Sequence, residues 1–210
     1  MGIAALSAHR LGAEFGPAGS TTGVYRLDNS VKYVGRLSDF NVRAMHAFGE
    51  QAGNSSRLSS SGVGAGYQSG GYTAALSYAQ FRNAAGLTLK GYLGGASAML
   101  GNNKLALTYG SHEAATSATA KTRNRTLGLG GTVPLAASVD LILAHYQVRR
   151  TRTAAVDDGF NRTVAFVEYK FSKRTRAYAE LDQTSWKKGY QDTGFNSTTS
   201  GVSAGVVHSF

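Results

Sequence analysis

Three residues lie close enough along the chain to suggest nucleophilic catalysis: Ser138, Asp140 and His145. A hydroxyl, a carboxylate and an imidazole form the triad of many hydrolases, in which the imidazole takes the proton of the attacking hydroxyl. Ser138 is not flanked by the Gly-x-Ser-x-Gly pattern that exposes such a serine on a sharp turn. We therefore expect that the protein is not an enzyme.

Cofactor and metal sites are not predicted either. Gly128-Leu129-Gly130-Gly131 has no following helix pattern that could cradle a phosphate, and the chain has no cysteine for a thiolate site. The histidines show no spacing typical of metal ligands. They are His9, His46, His112, His145 and His208.

Positive charge is abundant but thinly spread. The 22 Lys and Arg residues against 12 Asp and Glu give a formal net charge of +10. Proteins that bind nucleic acid usually gather such charge on one patch or element, whereas here most segments carry one or two cations. This distribution favours a lined channel or a solvated rim, and we expect no nucleic-acid partner.

The elements that would position these charges are β-strands. Residues 72–78 alternate strictly, with Tyr72, Leu76 and Tyr78 on one side and Thr73 and Ser77 on the other. We predict eleven strands, with connectors that alternate between short turns and longer polar loops, as in outer-membrane barrels. They span 27–36, 40–49, 59–69, 72–82, 86–97, 102–112, 122–133, 138–150, 162–172, 175–185 and 201–210. Soluble sheets alternate too, so a soluble, basic β-rich binding module stays open at this point.

The alternation along each strand predicts which charged side chains point inward, on the side opposite the apolar outer surface. Cations outnumber carboxylates in the predicted inward set, and a basic wall around a confined lumen favours anions. The set is Lys32, Arg43, Lys90, Lys104, Arg149, Arg162, Glu168, Lys170, Arg176, Glu180 and Asp182. Aromatic residues on the apolar side of strand ends, with Tyr146 among them, are predicted to form interfacial belts.

The chain ends on an alternating strand whose last residues include Val206, His208 and Phe210. This ending resembles the closing strand of bacterial outer-membrane β-barrels, in which the terminal Phe belongs to the sorting signal for the barrel-assembly machinery. The resemblance implies that Phe210, His208 and Val206 form that signal and that the protein lies in the bacterial outer membrane.

Longer stretches resemble the general porins of β-proteobacteria, which are trimeric diffusion pores of sixteen strands. The matching stretches are 25–33, 48–53, 169–175 and 205–210, in the order and spacing of that family. The resemblance identifies our strands as the last eleven of the sixteen. Residues 1–21 would then be a remnant of the loop that constricts the pore, and 22–210 the transmembrane barrel portion. The first ten residues lack the basic start and long apolar core of a signal peptide.

We therefore expect an all-β, antiparallel up-and-down transmembrane barrel, incomplete in this chain, that passes small anionic or neutral solutes with a preference for anions. The resemblance places Arg26 and Lys32 nearest the constriction, followed by Arg43 and Arg162. It also implies a homotrimer at full length, in contact with outer-membrane lipid and lipopolysaccharide. The alternatives are a barrel that serves as an adhesin or structural anchor, and a porin fragment without function.

Overall fold

The described part of the protein is one antiparallel sheet, as the two-residue alternation of the sequence predicts. The computed structural model describes residues 29–187, 189–191 and 196–210. Within them, eleven strands lie side by side in chain order, so all eleven predicted strands are confirmed, with bounds within four residues of the prediction. The strands are β1 (Ser30–Leu37), β2 (Phe40–Ala47), β3 (Ser60–Ser69), β4 (Tyr72–Arg82), β5 (Thr88–Leu100), β6 (Asn103–Ala115), β7 (Lys121–Ala136), β8 (Val139–Arg152), β9 (Asp158–Lys170), β10 (Thr175–Lys187) and β11 (Thr198–His208).

Short and long connections alternate, which places all the short turns at one end of the sheet. Gly70 and Gly71 join β3 to β4 with φ angles of 54° and 85°, and positive φ at both central residues gives the tight turn that matches strand twist. Segments such as 48–59 and 153–157 connect strands at the opposite end. We refer to these as the short-turn end and the long-loop end.

The two faces of the sheet differ in composition because paired residues on neighbouring strands point to the same side. One face, the apolar face, carries aligned pairs such as Leu107 with Leu129, and Leu181 with Val202. The other, the polar face, carries Arg162 opposite Thr184. The sequence alternation therefore sorts apolar from polar side chains along nearly every strand.

The apolar face has no protein layer against it in the described residues. Leu129 is 59% exposed and Val202 is 76% exposed, and a continuous exposed apolar surface of this extent is typical of a surface that contacts a membrane or another protein. The thirteen residues of β6 extend about 43 Å, which at a tilt of about 40° crosses about 33 Å. That span matches the thickness of a bilayer core, so the apolar face is suited to lipid.

Aromatic rings mark both ends of the apolar face. Phe40 and Tyr67 lie 4.9 Å apart near the short-turn end, while Tyr92 and Tyr109 lie 6.0 Å apart toward the long-loop end. Such rings favour the headgroup level of a membrane. Tyr146 is an exception to the prediction, because it pairs with Arg162 and so lies on the polar face.

The described strands form an open sheet. Strands β1 and β11 are its two edges, and these two do not pair with each other. No helix among the described residues is long and apolar enough to cross a membrane. The predicted loop remnant at 1–21, and the first residues of the predicted barrel portion, lie outside the described residues.

Candidate functional site

Ionisable side chains concentrate on the polar face, which makes it the candidate functional surface. Strand pairing places nine cations and five carboxylates there. The cations are Lys32, Arg36, Arg43, Lys104, Arg150, Arg152, Arg162, Lys170 and Arg176, and the carboxylates are Asp140, Asp158, Glu168, Glu180 and Asp182.

Arg162 is held in place from three sides. Only 7% of its surface is exposed. Its Nε donates to Thr184 Oγ1 at 2.6 Å and lies 3.8 Å from Asp182 Oδ1, and its guanidinium carbon lies 5.8 Å from the centre of the Phe160 ring. A buried charge with a carboxylate beside it is fixed in position but largely compensated. Arg162 therefore contributes more to the rigidity of the wall than to its net field.

A second cluster, nearer the long-loop end, combines two arginines with one aspartate. Arg150 donates from Nε and Nη2 to the two oxygens of Asp158, at 2.7 and 2.6 Å, and Arg152 donates to the second oxygen at 2.6 Å. The Arg150 guanidinium also lies 4.1 Å above the ring of Tyr190, a cation–π geometry. Trp186 stacks on that ring at 5.8 Å. The cluster thus fastens part of the loop after β10 to the polar face.

Ion pairs also neutralise cations near the short-turn end. Lys170 Nζ lies 2.6 Å from Asp140 Oδ2, and Arg176 Nε lies 3.5 Å from Glu168 Oε2. Both lysine and arginine side chains are about half exposed here, so these pairs are solvated and weak. Across β8 to β10, each cation on the polar face therefore has a carboxylate neighbour.

Strands β1, β2 and β6 show the opposite arrangement. Among the described residues, Lys32, Arg36, Arg43 and Lys104 have no carboxylate within ion-pair distance. Gly64 lies directly opposite Arg43 and presents no side chain. The uncompensated positive charge of the polar face therefore lies on the edge strand β1, on its neighbour β2 and on the central strand β6.

The structure corrects the predicted side of two residues. Lys90 pairs with Gln80 and Glu113 and lies on the apolar face. In β5 this face carries Tyr92, two residues from Lys90, whereas Leu93 lies on the polar face. Arg149 lies on the apolar face opposite Arg125, since Asp158 binds the adjacent Arg150 from the polar side.

The other nine residues of the predicted inward set lie on the polar face. They are Lys32, Arg43, Lys104, Arg162, Glu168, Lys170, Arg176, Glu180 and Asp182. Arg26 lies outside the described residues. The predicted inward set does not include Arg36, Arg150 and Arg152. Once the pairing of the strands is known, the even-numbered residues of β1 and β8 lie on the polar face, and these three are among them.

The predicted sorting residues lie at the short-turn end of the edge strand. Val206 and His208 are on the apolar face, and His208 Nδ1 lies 2.8 Å from Thr175 Oγ1. Phe210 lies two residues beyond the end of β11, and its ring packs edge-on against His208 at 4.9 Å. Both the terminal ring and Val206 are exposed.

The structure separates the residues of the hypothetical triad. His145 lies on the apolar face beside Thr163, whereas Asp140 pairs with Lys170 on the polar face. The pattern Gly-x-Ser-x-Gly does occur at 201–205, but it lies inside β11 rather than at the strand-to-helix turn that this motif needs.

Comparisons with known proteins agree with this architecture. The family model of the Gram-negative porins matches residues 3–189. No curated protein matches the sequence at a significant level.

Among solved structures, an anion-selective porin from Comamonas acidovorans aligns with a TM-score of 0.75 and 22% identity, over 88% of this chain and 60% of that one. In-vitro folded OmpT, an outer membrane protein of Vibrio cholerae, aligns with a TM-score of 0.71 and 18% identity, over 85% of this chain and 63% of OmpT. The chain thus spans about 60% of the length of these structures. With most of its sequence matched by the family and its strands arranged as in outer-membrane barrels, the chain belongs to the Gram-negative porins of the bacterial outer membrane.

Proposed function

We propose that the polar face lines part of a water-filled pore, through which small hydrophilic solutes diffuse passively with a preference for anions. The observation that carries this proposal is the group of four cations without a carboxylate neighbour among the described residues: Lys32, Arg36, Arg43 and Lys104. The porin family supports the channel itself.

Pairing decides which charges act on a passing ion. A cation beside a carboxylate presents a dipole whose field fades within a few ångströms, whereas an unpaired cation attracts anions over about 8 Å at physiological ionic strength. On this basis the unpaired cations of β1, β2 and β6 set selectivity, and Arg150, Arg152 and Arg162 mainly shape the wall.

Glycines beside Arg43 support the same assignment. Gly62 and Gly64 lie on the polar face of β3, where no side chain packs closely above the backbone and room is left for solute. A wall of small residues with isolated cations is suited to hydrated anions rather than to an apolar ligand.

Assembly as a homotrimer and dependence on the barrel-assembly machinery are further proposals that follow from the family.

Charge reversal on opposite faces of the sheet tests the proposal. In the double variant Lys32→Glu/Arg43→Glu, the unpaired groups of the polar face change from four cations and one carboxylate, Glu180, to two cations and three carboxylates. We expect reversal potentials in planar bilayers to shift from anion preference to little or no preference. The matched control, Lys90→Glu/Arg149→Glu, changes the same charge on the apolar face and should leave the preference intact.

Two results would overturn the proposal. Equal shifts in both double variants would mean that overall charge, and not the polar face, sets selectivity. Absence of conductance from correctly inserted protein would favour a barrel that does not conduct.

A further inference from the structure

Aromatic side chains of the polar face gather on one part of the wall. Within the described strands this face carries six phenylalanine, tyrosine and tryptophan residues, and five of them lie on β8, β9 and β10. The five are Tyr146, Phe160, Phe166, Tyr178 and Trp186, and the sixth, Phe81, lies on β4 at the long-loop end. A large ring on a surface that faces water loses the free energy that its burial would give, so a contact that covers it is expected.

Packing accounts for the rings at the long-loop end of β9 and β10. Phe160 is only 1% exposed, and its ring lies 5.0 Å from Trp186 and 5.1 Å from Tyr190. These residues belong to the cluster that fastens part of the loop after β10. Their rings cover one another, and no solute is needed to explain them.

A second pair of rings lies nearer the short-turn end and is only partly covered. Phe166 of β9 and Tyr178 of β10 stack with their centres 5.3 Å apart and their planes 16° apart. Both residues are half-buried, so part of each ring is open to the polar face. The Tyr178 hydroxyl makes no hydrogen bond within the described part of the chain.

Small residues of β11 lie beside this pair. Gly205 is directly opposite Tyr178, and Ser203 is the next residue on the same face. A methyl group at Gly205 would lie 2.7 Å from the Tyr178 hydroxyl oxygen, so the tyrosine covers this glycine. Such a contact between an aromatic ring and a glycine of the next strand holds the ring in place. The neighbouring small side chains leave room for a ligand.

Two carboxylates complete a patch with the two rings. Glu168 lies directly opposite Tyr178, and Glu180 lies directly opposite Phe166, so rings and carboxylates alternate at four corners about 5 Å apart across the strands and about 7 Å apart along them. Arg176 Nε lies 3.5 Å from Glu168 Oε2, whereas Glu180 has no cation within ion-pair distance among the described residues. We refer to Phe166, Glu168, Tyr178 and Glu180 as the ring–carboxylate patch.

The chemistry of the patch disfavours ions and apolar molecules. Its carboxylates repel anions. Lys170 and Arg176 form the next pair on this face and disfavour a cation. An apolar ligand would cover Glu180 without giving it a hydrogen bond, which is costly.

A sugar ring satisfies both kinds of group in the patch. Its C–H face packs against an aromatic ring, and its hydroxyl groups donate hydrogen bonds to carboxylates. Because the ligand is neutral, it does not need the unpaired cations, which lie on other strands.

We propose that the ring–carboxylate patch binds a sugar ring of a neutral saccharide. Phe166 and Tyr178 pack against the apolar side of the sugar, and Glu180 accepts hydrogen bonds from its hydroxyl groups. The inference rests on the proposed function in that the polar face must line a water-filled lumen. It adds neutral saccharides to the solutes of that lumen and assigns them to β9 and β10, apart from the cations that act on anions.

Saccharide binding is measured on the full chain, folded in an uncharged detergent without a sugar headgroup, by titration with maltotriose. Saturation transfer from the protein to the protons of maltotriose gives the affinity. One aromatic contact is worth about 2- to 12-fold in affinity, so we expect Phe166→Ala to bind about fivefold more weakly. A hydrogen bond to a carboxylate is worth more, and we expect Glu180→Ala to bind at least tenfold more weakly.

The matched control is Phe81→Ala, which removes the same ring from the polar face of β4. It should bind maltotriose as the native chain does. Absence of saturable binding to the native chain, unchanged binding in Phe166→Ala, or equal loss in Phe166→Ala and Phe81→Ala would each overturn the proposal. Displacement of maltotriose by an equal concentration of tetramethylammonium would also overturn it, because the patch would then be a cation site. If Phe166→Ala does not fold, Glu180→Ala alone decides against the same control.

The outcome is separable from that of the proposed function. Lys32→Glu/Arg43→Glu should lose anion preference and keep maltotriose binding, and Phe166→Ala should do the reverse. A chain that binds maltotriose in detergent but does not conduct would refute only the channel. A chain that conducts anions without saturable binding of maltotriose would refute only the saccharide site.

Discussion

We expect the substitution of Asp158 to destabilise the sheet strongly, because its buried carboxylate is the ion-pair partner of both Arg150 and Arg152. Its side chain is fully buried, while those of Arg150 and Arg152 are 21% and 38% exposed. The substitution Asp158→Asn keeps the shape and removes the charge. It weakens three charge-assisted hydrogen bonds, each worth about 1.5–3 kcal/mol.

Water can reach both guanidinium groups and offset part of this loss. We therefore expect the free energy of unfolding to fall by about 3 kcal/mol, which is the low end for breaking a buried ion pair. At an m-value of about 2 kcal/mol per molar urea, the midpoint of unfolding falls by about 1.5 M.

Trp186 reports on this cluster directly. It is the only tryptophan of the chain, and its ring lies 5.0 Å from Phe160 and 5.8 Å from Tyr190. Its emission during urea unfolding in detergent gives the midpoint. The matched control is Asp157→Asn, which removes the same charge from the exposed neighbouring position. If both variants shift the midpoint equally, the ion-pair cluster does not hold this region together.

Two further substitutions test the faces and the packing of the sheet. Leu76→Lys places a charge on the apolar face and should make the free energy of membrane insertion less favourable by about 2–4 kcal/mol. Ser77→Lys, one residue further on, places the same charge on the polar face and should insert normally. Flotation of lipid-bound protein measures both. Gly128→Ala puts a methyl group 2.6 Å from Thr108 Oγ1 and 2.9 Å from the Tyr146 ring, so we expect about 1–3 kcal/mol of destabilisation. Gly64→Ala meets only ordinary contacts and should leave the urea midpoint unchanged; equal effects within either pair would contradict the assignment.

The strands were predictable, and for most of them so was the face on which each residue lies. Residues that face lipid are apolar and residues that face water are polar, and the two kinds alternate along a strand. The prediction failed where that signal is ambiguous. In β5 both Tyr92 and Leu93 qualify for the apolar face, and in β8 the adjacent Arg149 and Arg150 must point to opposite sides. Only the pairing with neighbouring strands resolves such cases.

The ion-pair clusters were not predictable, because they depend on contacts between strands and loops. The alternation predicts Asp158 in a loop, whereas β9 begins at this residue and its carboxylate binds Arg150 of β8. Tyr190 reaches Arg150 from a segment forty residues further along the chain. The alternation of a single strand contains no information about such contacts.

The central claim is that unpaired cations on the polar face give the pore its anion preference. The most direct measurement is the reversal potential of single channels in a salt gradient for the native chain, for Lys32→Glu/Arg43→Glu and for Lys90→Glu/Arg149→Glu. We predict anion preference in the native chain, its loss in the first variant and its retention in the second. A native channel that favours cations, or a preference that survives the first variant unchanged, would contradict the claim.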